Sequence, residues 1–119
     1  MTNETATRDA LQTVDSSTFD NAVLQAAGPV TVEFMSYSCA HCRVIEYPLG
    51  QVARKVGPRQ RIYRVNVALE PMLAARYEVT GTPTLVMFRN GAEIARVEGP
   101  PPQEAALLQA VKEPFQVPA

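Results

Sequence analysis

Val30-Thr31-Val32-Glu33-Phe34-Met35, followed without a break by Ser36-Tyr37-Ser38-Cys39-Ala40-His41-Cys42-Arg43-Val44-Ile45, is the stretch that decides the fold. Its first six residues are β-rich and almost wholly apolar, the composition of a strand buried on both faces. Ser36-Tyr37-Ser38 turns the chain. From Cys39 onward Val44, Ile45, Leu49, Val52, Ala53 and Val56 recur at helical spacing, which predicts a helix over 39–56. Pro48 falls inside this helix, removes one backbone donor and predicts a kink. A compact strand that feeds a long amphipathic helix is the first half of a βαβ unit.

Working outward, Gly57-Pro58 ends the helix and 61–67 reads as the second strand of that unit, parallel to the first. Glu70-Pro71 opens a short helix to about 77, with proline at a tolerated first-turn position. Gly81-Thr82-Pro83 turns into a third strand, 84–88. Arg89-Asn90-Gly91-Ala92 is a hairpin signal, because Asn-Gly suits a type I′ turn, so 93–97 returns antiparallel. Three prolines later, 103–112 forms a closing helix with Leu107, Leu108 and Val111 inward. Upstream, 17–26 predicts a helix capped by Ser17 or Thr18, with Phe19, Val23 and Leu24 as its apolar stripe. The element order α, β, α, β, α, β, β, α defines an α/β fold. Its central mixed sheet joins a βαβ unit to a C-terminal hairpin, with helices on both faces. Residues 1–15 are expected to be a loose N-terminal arm, 16–113 the domain, and 114–119 a frayed tail containing Pro114 and Pro118.

Bulk properties narrow the function. The 119 residues suit one domain, and 46% hydrophobic with 19% charged residues is ordinary for a globular protein. A net charge of −1 gives no electrostatic reason to expect nucleic acid or a membrane as a partner, and no apolar run has the length of a span. Arg59, Arg61 and Arg64 read as a solvated strand edge. The polar, mixed-charge start lacks the basic and apolar segments of a secretory signal, so the expectation is either a cytoplasmic location or a signal already removed.

The chemistry lies in the cysteines. The two in the chain, Cys39 and Cys42, close almost no loop, so a stabilising cross-link is excluded as their purpose. A tight pair at a strand–helix junction points to redox chemistry. The thiolate is the nucleophile, and the first turn of a helix favours negative charge. Cys39 is therefore expected to be exposed and to attack a disulfide, while Cys42, one turn in, resolves the mixed disulfide. Metal binding fits poorly: with His41 as the only histidine, a closed four-ligand zinc site is out of reach. No metal and no cofactor are expected. Glu33, in mid-strand between Val32 and Phe34, is either a costly buried acid or a side chain long enough to reach solvent.

Thr18-Phe19-Asp20 through Cys42, then Gly81-Thr82-Pro83-Thr84, Phe88-Arg89-Asn90-Gly91 and Gly99, resemble the thioredoxin family in a match without gaps from 19 to 99. CxxC, Thr-Pro about forty residues on, and Asn-Gly in the next hairpin are together far more specific than CxxC alone. The Gly81-Thr82-Pro83-Thr84 and Asn-Gly segments fit thioredoxin better than glutaredoxin. The resemblance implies a thioredoxin fold and a thiol–disulfide oxidoreductase that acts in electron transport and cell redox homeostasis. Its expected partners are proteins bearing disulfides or thiols and a reductase or other redox protein, and the chain is expected to be a monomer. By the same resemblance Pro83 is cis and packs on the active pair, Thr82 offers backbone hydrogen bonds to an extended substrate, and Gly99 lines the groove. Glu33 relays a proton for Cys42. His41 stands where common thioredoxins have proline; histidine there resembles protein disulfide isomerases and the bacterial periplasmic oxidant. That implies a protonated or hydrogen-bonding imidazole beside Cys39, a stabilised thiolate and a pair more oxidising than typical thioredoxin.

The chain also departs from the family pattern. Ser38 and Met35 replace tryptophans, Arg64 replaces a lysine near the buried acid, Ala68 replaces an aspartate, and Pro48 lies one residue late. These changes define a second reading: a thioredoxin-fold protein-binding or chaperone module with little redox turnover.

Overall fold

The computed structural model describes residues 10–116. Five strands form one sheet in the order β1-β3-β2-β4-β5. They are β1 (Gln12–Thr13), β2 (Val30–Met35), β3 (Arg61–Asn66), β4 (Thr84–Arg89) and β5 (Ala92–Glu98). β3 runs parallel to both β1 and β2, whereas β4 is antiparallel to β2 and to β5. The sheet is mixed, as the βαβ-plus-hairpin pattern requires. Asn90 and Gly91 take φ of 53° and 81°, the left-handed pair that a two-residue hairpin turn demands.

Alternation along β2 sorts its side chains between two cores. Val30, Val32 and Phe34 join Phe19, Val23, Val86 and Phe88 beneath helices α1 (Asp20–Leu24) and α3 (Pro71–Arg76). Tyr77 lies edge-on to Phe88 and Phe34, with centroids 5.3 and 6.2 Å away, and tilted against Phe19 at 5.5 Å. Such pairs add about 1 kcal/mol each beyond their buried area. The opposite face carries Leu85, Met87 and Ile62 under α2 (Ala40–Val56) and α4 (Glu104–Gln116), which contribute Ile45, Leu49, Val52, Leu107 and Val111. Thr31, Glu33 and Met35 point to this second face.

Several boundaries differ from those the sequence predicts. Residues 10–15 are not a loose arm: Leu11 and Val14 are buried, and Gln12 and Thr13 pair with Tyr63 and Arg64. A two-residue strand is too short to show a period, so nothing local announces it. Residues 1–9 of the expected arm lie outside the described residues. Neither Ser17 nor Thr18 caps α1, which follows Phe19 with no side-chain cap; Asp15 instead closes the turn 16–18 that leads into it. Its carboxylate accepts from the N–H groups of Ser17 (2.9 Å) and Thr18 (3.1 Å), and Gln25 N–H then reaches back to Asp20 O at 3.0 Å in a π-type turn. At the other end α4 continues through Pro114. Arg89 stacks 5.8 Å over Phe115 and donates to its carbonyl at 2.9 Å, so 114–116 belong to the fold. Residues 117–119 of the expected tail are outside the described residues. Arg59 and Arg61 are exposed as a solvated edge should be, but Arg64 is buried, because its place in β3 turns it to the α2 face.

Candidate active site

The site sits where β2 hands over to α2, beside the turn that enters β4. Cys39 is the N-cap of α2: its backbone is extended (φ −89°, ψ 116°) and its Sγ accepts from the Cys42 backbone N–H at 3.1 Å. A serine or aspartate oxygen usually fills this role; here a sulfur does, which places it on the orphan donors of the first turn. Cys42 is on the inner face of that turn and only 1% exposed. Both cysteines are free thiols, Cys39 half-buried and Cys42 buried.

The two sulfurs are electrostatically unequal. Partial burial pushes Cys39 up, but hydrogen bonds from the Cys42 thiol, the Thr82 side chain and the backbone N–H groups of Cys42 and His41 outweigh it. Its thiol ends below the ordinary value. Burial and the hydrogen bond to Cys39 push Cys42 up to about 11. Of the two, the outer sulfur ionises the more readily, and the inner one keeps its proton near neutral pH.

The β4 entry turn faces Cys39. The Thr82–Pro83 peptide is cis, Pro83 is buried, and the Thr82 carbonyl lies 3.5 Å from Cys39 Sγ, from which it accepts in the thiol form. Thr84 Oγ1 donates to Gly81 O at 2.7 Å and closes the turn. Gly99 N–H donates to Pro83 O at 3.0 Å, and its φ of +60° is a conformation that suits glycine. Cys39, Cys42, Thr82, Pro83 and Gly99 therefore form one cluster. Beside it a cleft of about 420 Å³ is lined by Val67, Ala74, Val79, Gly81 and Thr82.

His41 and Glu33 stand differently from that cluster. The His41 imidazole is exposed and its Nε2 lies 2.8 Å from the Pro100 carbonyl, which can only accept, so Nε2 carries the hydrogen. What reaches Cys39 from this residue is its backbone N–H. Glu33 is 2% exposed on the α2 face of β2. Burial, opposed by Arg64 and reinforced by Glu46, pushes its carboxyl up to about 7. Arg64 lies beside Glu33, where the family resemblance puts a cation near the buried acid; Glu46 and Pro100 are the neighbours that sequence reasoning missed. The Glu33–Arg64 pairing follows from the register of β2 and β3, which no local motif encodes.

An outer thiol that ionises readily, with a protonated thiol one turn behind it, is the equipment of thiol–disulfide exchange, and the protein is a thiol–disulfide oxidoreductase. Comparison with known proteins narrows the class. The Thioredoxin family model matches residues 10–113. Thioredoxin 1 of Synechococcus elongatus is 29% identical over 90 residues, which span 76% of this chain and 84% of that one. The thioredoxin of Rhodospirillum rubrum is 30% identical over 93 residues, covering 78% and 89%. A chloroplastic M-type thioredoxin of Chlamydomonas reinhardtii is 28% identical over 99 residues, covering 83% and 70%. The chain belongs to the thioredoxin family. No helix among its described residues is long and apolar enough to cross a membrane.

Proposed function

We propose that the protein exchanges its Cys39–Cys42 dithiol with disulfides of other proteins through a mixed disulfide, and that its pair is more oxidising than that of typical thioredoxins. The observation that carries the reading is the inequality of the sulfurs: Cys39 is accessible and lowered, Cys42 shielded and raised to about 11. The Cys39 thiolate attacks one sulfur of the substrate disulfide, forming a new S–S bond and expelling the other substrate sulfur as a thiolate that takes a proton. Cys42 then loses its proton and attacks the Cys39 sulfur, releasing the second substrate thiol. The substrate gains two electrons and two protons, and the enzyme is left with a Cys39–Cys42 disulfide. A dithiol protein or small thiol returns it to the reduced form.

Glu33 is the group suited to take the proton of Cys42. At about 7 its carboxyl is near half-ionised at neutrality, able both to accept a proton and to return it. The substrate chain would lie extended along Thr82, cis-Pro83 and Gly99, with apolar side chains reaching the adjoining cleft. Exposed Tyr37, Leu69 and Met72 replace with other apolar surface what the absent tryptophans would provide.

His41 supports the oxidising character through its backbone. A proline at this position has no N–H, so histidine adds a donor toward Cys39 that proline cannot supply. A better-stabilised thiolate favours the reduced pair and raises its potential. Insulin-disulfide reduction with dithiothreitol tests the activity: wild-type protein accelerates it and Cys39→Ser does not, whereas equal rates would favour the binding-module reading. Redox titration against glutathione tests the potential, which should lie above the value of about −270 mV typical of thioredoxin. A value at or below that overturns the oxidising assignment.

A further inference from the structure

The exchange chemistry leaves the buried guanidinium of Arg64 unexplained. Arg64 pairs with Glu33 in the parallel register of β2 and β3, so both side chains emerge on the same face of the sheet. Only 9% of Arg64 is exposed. Its hydrogen bonds nevertheless go elsewhere: Nη2 donates to Glu46 Oε2 at 3.0 Å and Nη1 to the Tyr37 hydroxyl at 3.4 Å. Nε is buried with no partner among the described residues. Its ion pair is with Glu46, not with the carboxylate beside it in the sheet.

The two partners come from the elements that carry the cysteines. Glu46 is one turn beyond Cys42 on α2, at i+4, where helix geometry stacks the two positions on one face. Tyr37 is in the loop that leads to Cys39, and its carbonyl accepts from Arg43 at 2.9 Å. A cation that could neutralise Glu33 is thus anchored outward by α2 and the active-site loop.

We propose that Glu46 is a positioning residue for disulfide exchange: by drawing Arg64 to the rim of α2 it withholds the guanidinium from Glu33 and leaves the buried carboxyl able to carry the proton of Cys42. The inference rests on the reading of Glu33 as the proton partner of Cys42. The groups around Glu33 are few. Arg64 comes from β3, α2 contributes Glu46 and turns Cys42 inward, and the loop adds Tyr37 through Arg64. Its neighbour on β4 is apolar Leu85, and α4 turns Leu107 and Val111 inward. Arg64 pulls the Glu33 carboxyl toward the ionised form and Glu46 pulls it the other way. A full Arg64–Glu33 ion pair would hold that carboxyl ionised and spoil its return of a proton.

Carboxyl-carbon NMR of uniformly labelled protein between pH 4 and 9 tests this, with insulin-reduction rates recorded over the same range. Glu33→Gln identifies the Glu33 signal by removing it. Glu46→Gln should lower the Glu33 midpoint by about one pH unit or more, since an opposite charge brought within contact range has that effect on a carboxyl. The pH midpoint of turnover should move with it. In an Arg64→Met background the same Glu46→Gln change should lose most of its effect. An unmoved midpoint in Glu46→Gln overturns the proposal. So does a full shift that persists without Arg64, which would mean that Glu46 acts by bare charge. The Glu46 side chain is 47% exposed, so its glutamine variant should fold. Should Arg64→Met not fold, Arg64→Gln serves as the background for the same comparison. Failure of the underlying reading looks different: Glu33 titrates and responds to Glu46→Gln, yet the pH profile of turnover is the same in wild type and Glu33→Gln. That result removes the proton role of Glu33, and the proposal with it.

Discussion

Glu33→Gln should make the protein more stable in alkaline than in acid solution relative to wild type, by an amount the structure sets. In the unfolded chain the Glu33 carboxyl has its ordinary value of 4.5; in the native protein burial pushes it up to about 7. The native state therefore holds this proton more tightly than the unfolded chain does. Below pH 4.5 both states are protonated and the residue imposes no electrostatic penalty. As pH rises from 4.5 to about 7 the unfolded chain releases its proton first, and stability falls until the native carboxyl also ionises. At about 1.4 kcal/mol per pH unit, a gap of about 2.5 corresponds to about 3 kcal/mol of stability lost between acid and pH 8. Glutamine does not titrate, so the variant escapes this loss. Urea denaturation of both proteins at intervals from pH 4 to 8 gives the stability difference directly, and other titrating groups largely cancel in it. Any constant offset reflects how the amide packs. The pH-dependent part should grow by about 3 kcal/mol in favour of the variant and level off above about pH 7. A difference that stays flat across the range, or grows in acid, would refute the account of Glu33 as a buried acid with raised proton affinity.

Three further outcomes follow from the geometry. Alkylation by iodoacetamide, followed by peptide mass mapping, should modify Cys39 with a midpoint below the ordinary thiol value of 9.0, while Cys42 stays unmodified throughout that range. His41→Pro removes a donor at the second residue of α2, a first-turn position where proline is tolerated. It should lower the pair's potential by about 30 mV, the equivalent of about 1.4 kcal/mol for two electrons, in a glutathione titration. Gly91→Ala should destabilise the protein by about 1–3 kcal/mol in thermal or urea unfolding. At φ +81° its new Cβ would lie 2.8 Å from the Leu24 carbonyl oxygen, a rigid backbone atom.

Much of the fold was legible because the chain states it locally. The apolar run 30–35, the helical spacing after Cys39 and the Asn90-Gly91 turn each predict an element that is present. Elements whose cause is distant were not legible. β1 exists because Gln12 and Thr13 find an open edge on β3, and the end of α4 persists past Pro114 because Arg89, on β4, holds Phe115. The site divides the same way. Cys39 and Cys42 are adjacent in sequence and announce themselves. The burial of Glu33 was one of two alternatives, and its charge partners depend on the β2–β3 register and on one exposed turn of α2. His41 was expected to act through its imidazole. The ring instead meets the Pro100 carbonyl, a contact 59 positions away, and the backbone N–H is what faces Cys39.

The division of labour between the sulfurs is most directly tested by trapping. Cys42→Ser protein should be mixed with a peptide containing a single disulfide, quenched in acid and mapped by mass spectrometry under non-reducing conditions. A persistent covalent adduct carried by Cys39 is the predicted result, and Cys39→Ser protein should carry none. Absence of an adduct in Cys42→Ser, or an equally abundant adduct on Cys42 in Cys39→Ser, would contradict the assignment of Cys39 as the attacking thiol and Cys42 as the resolving one.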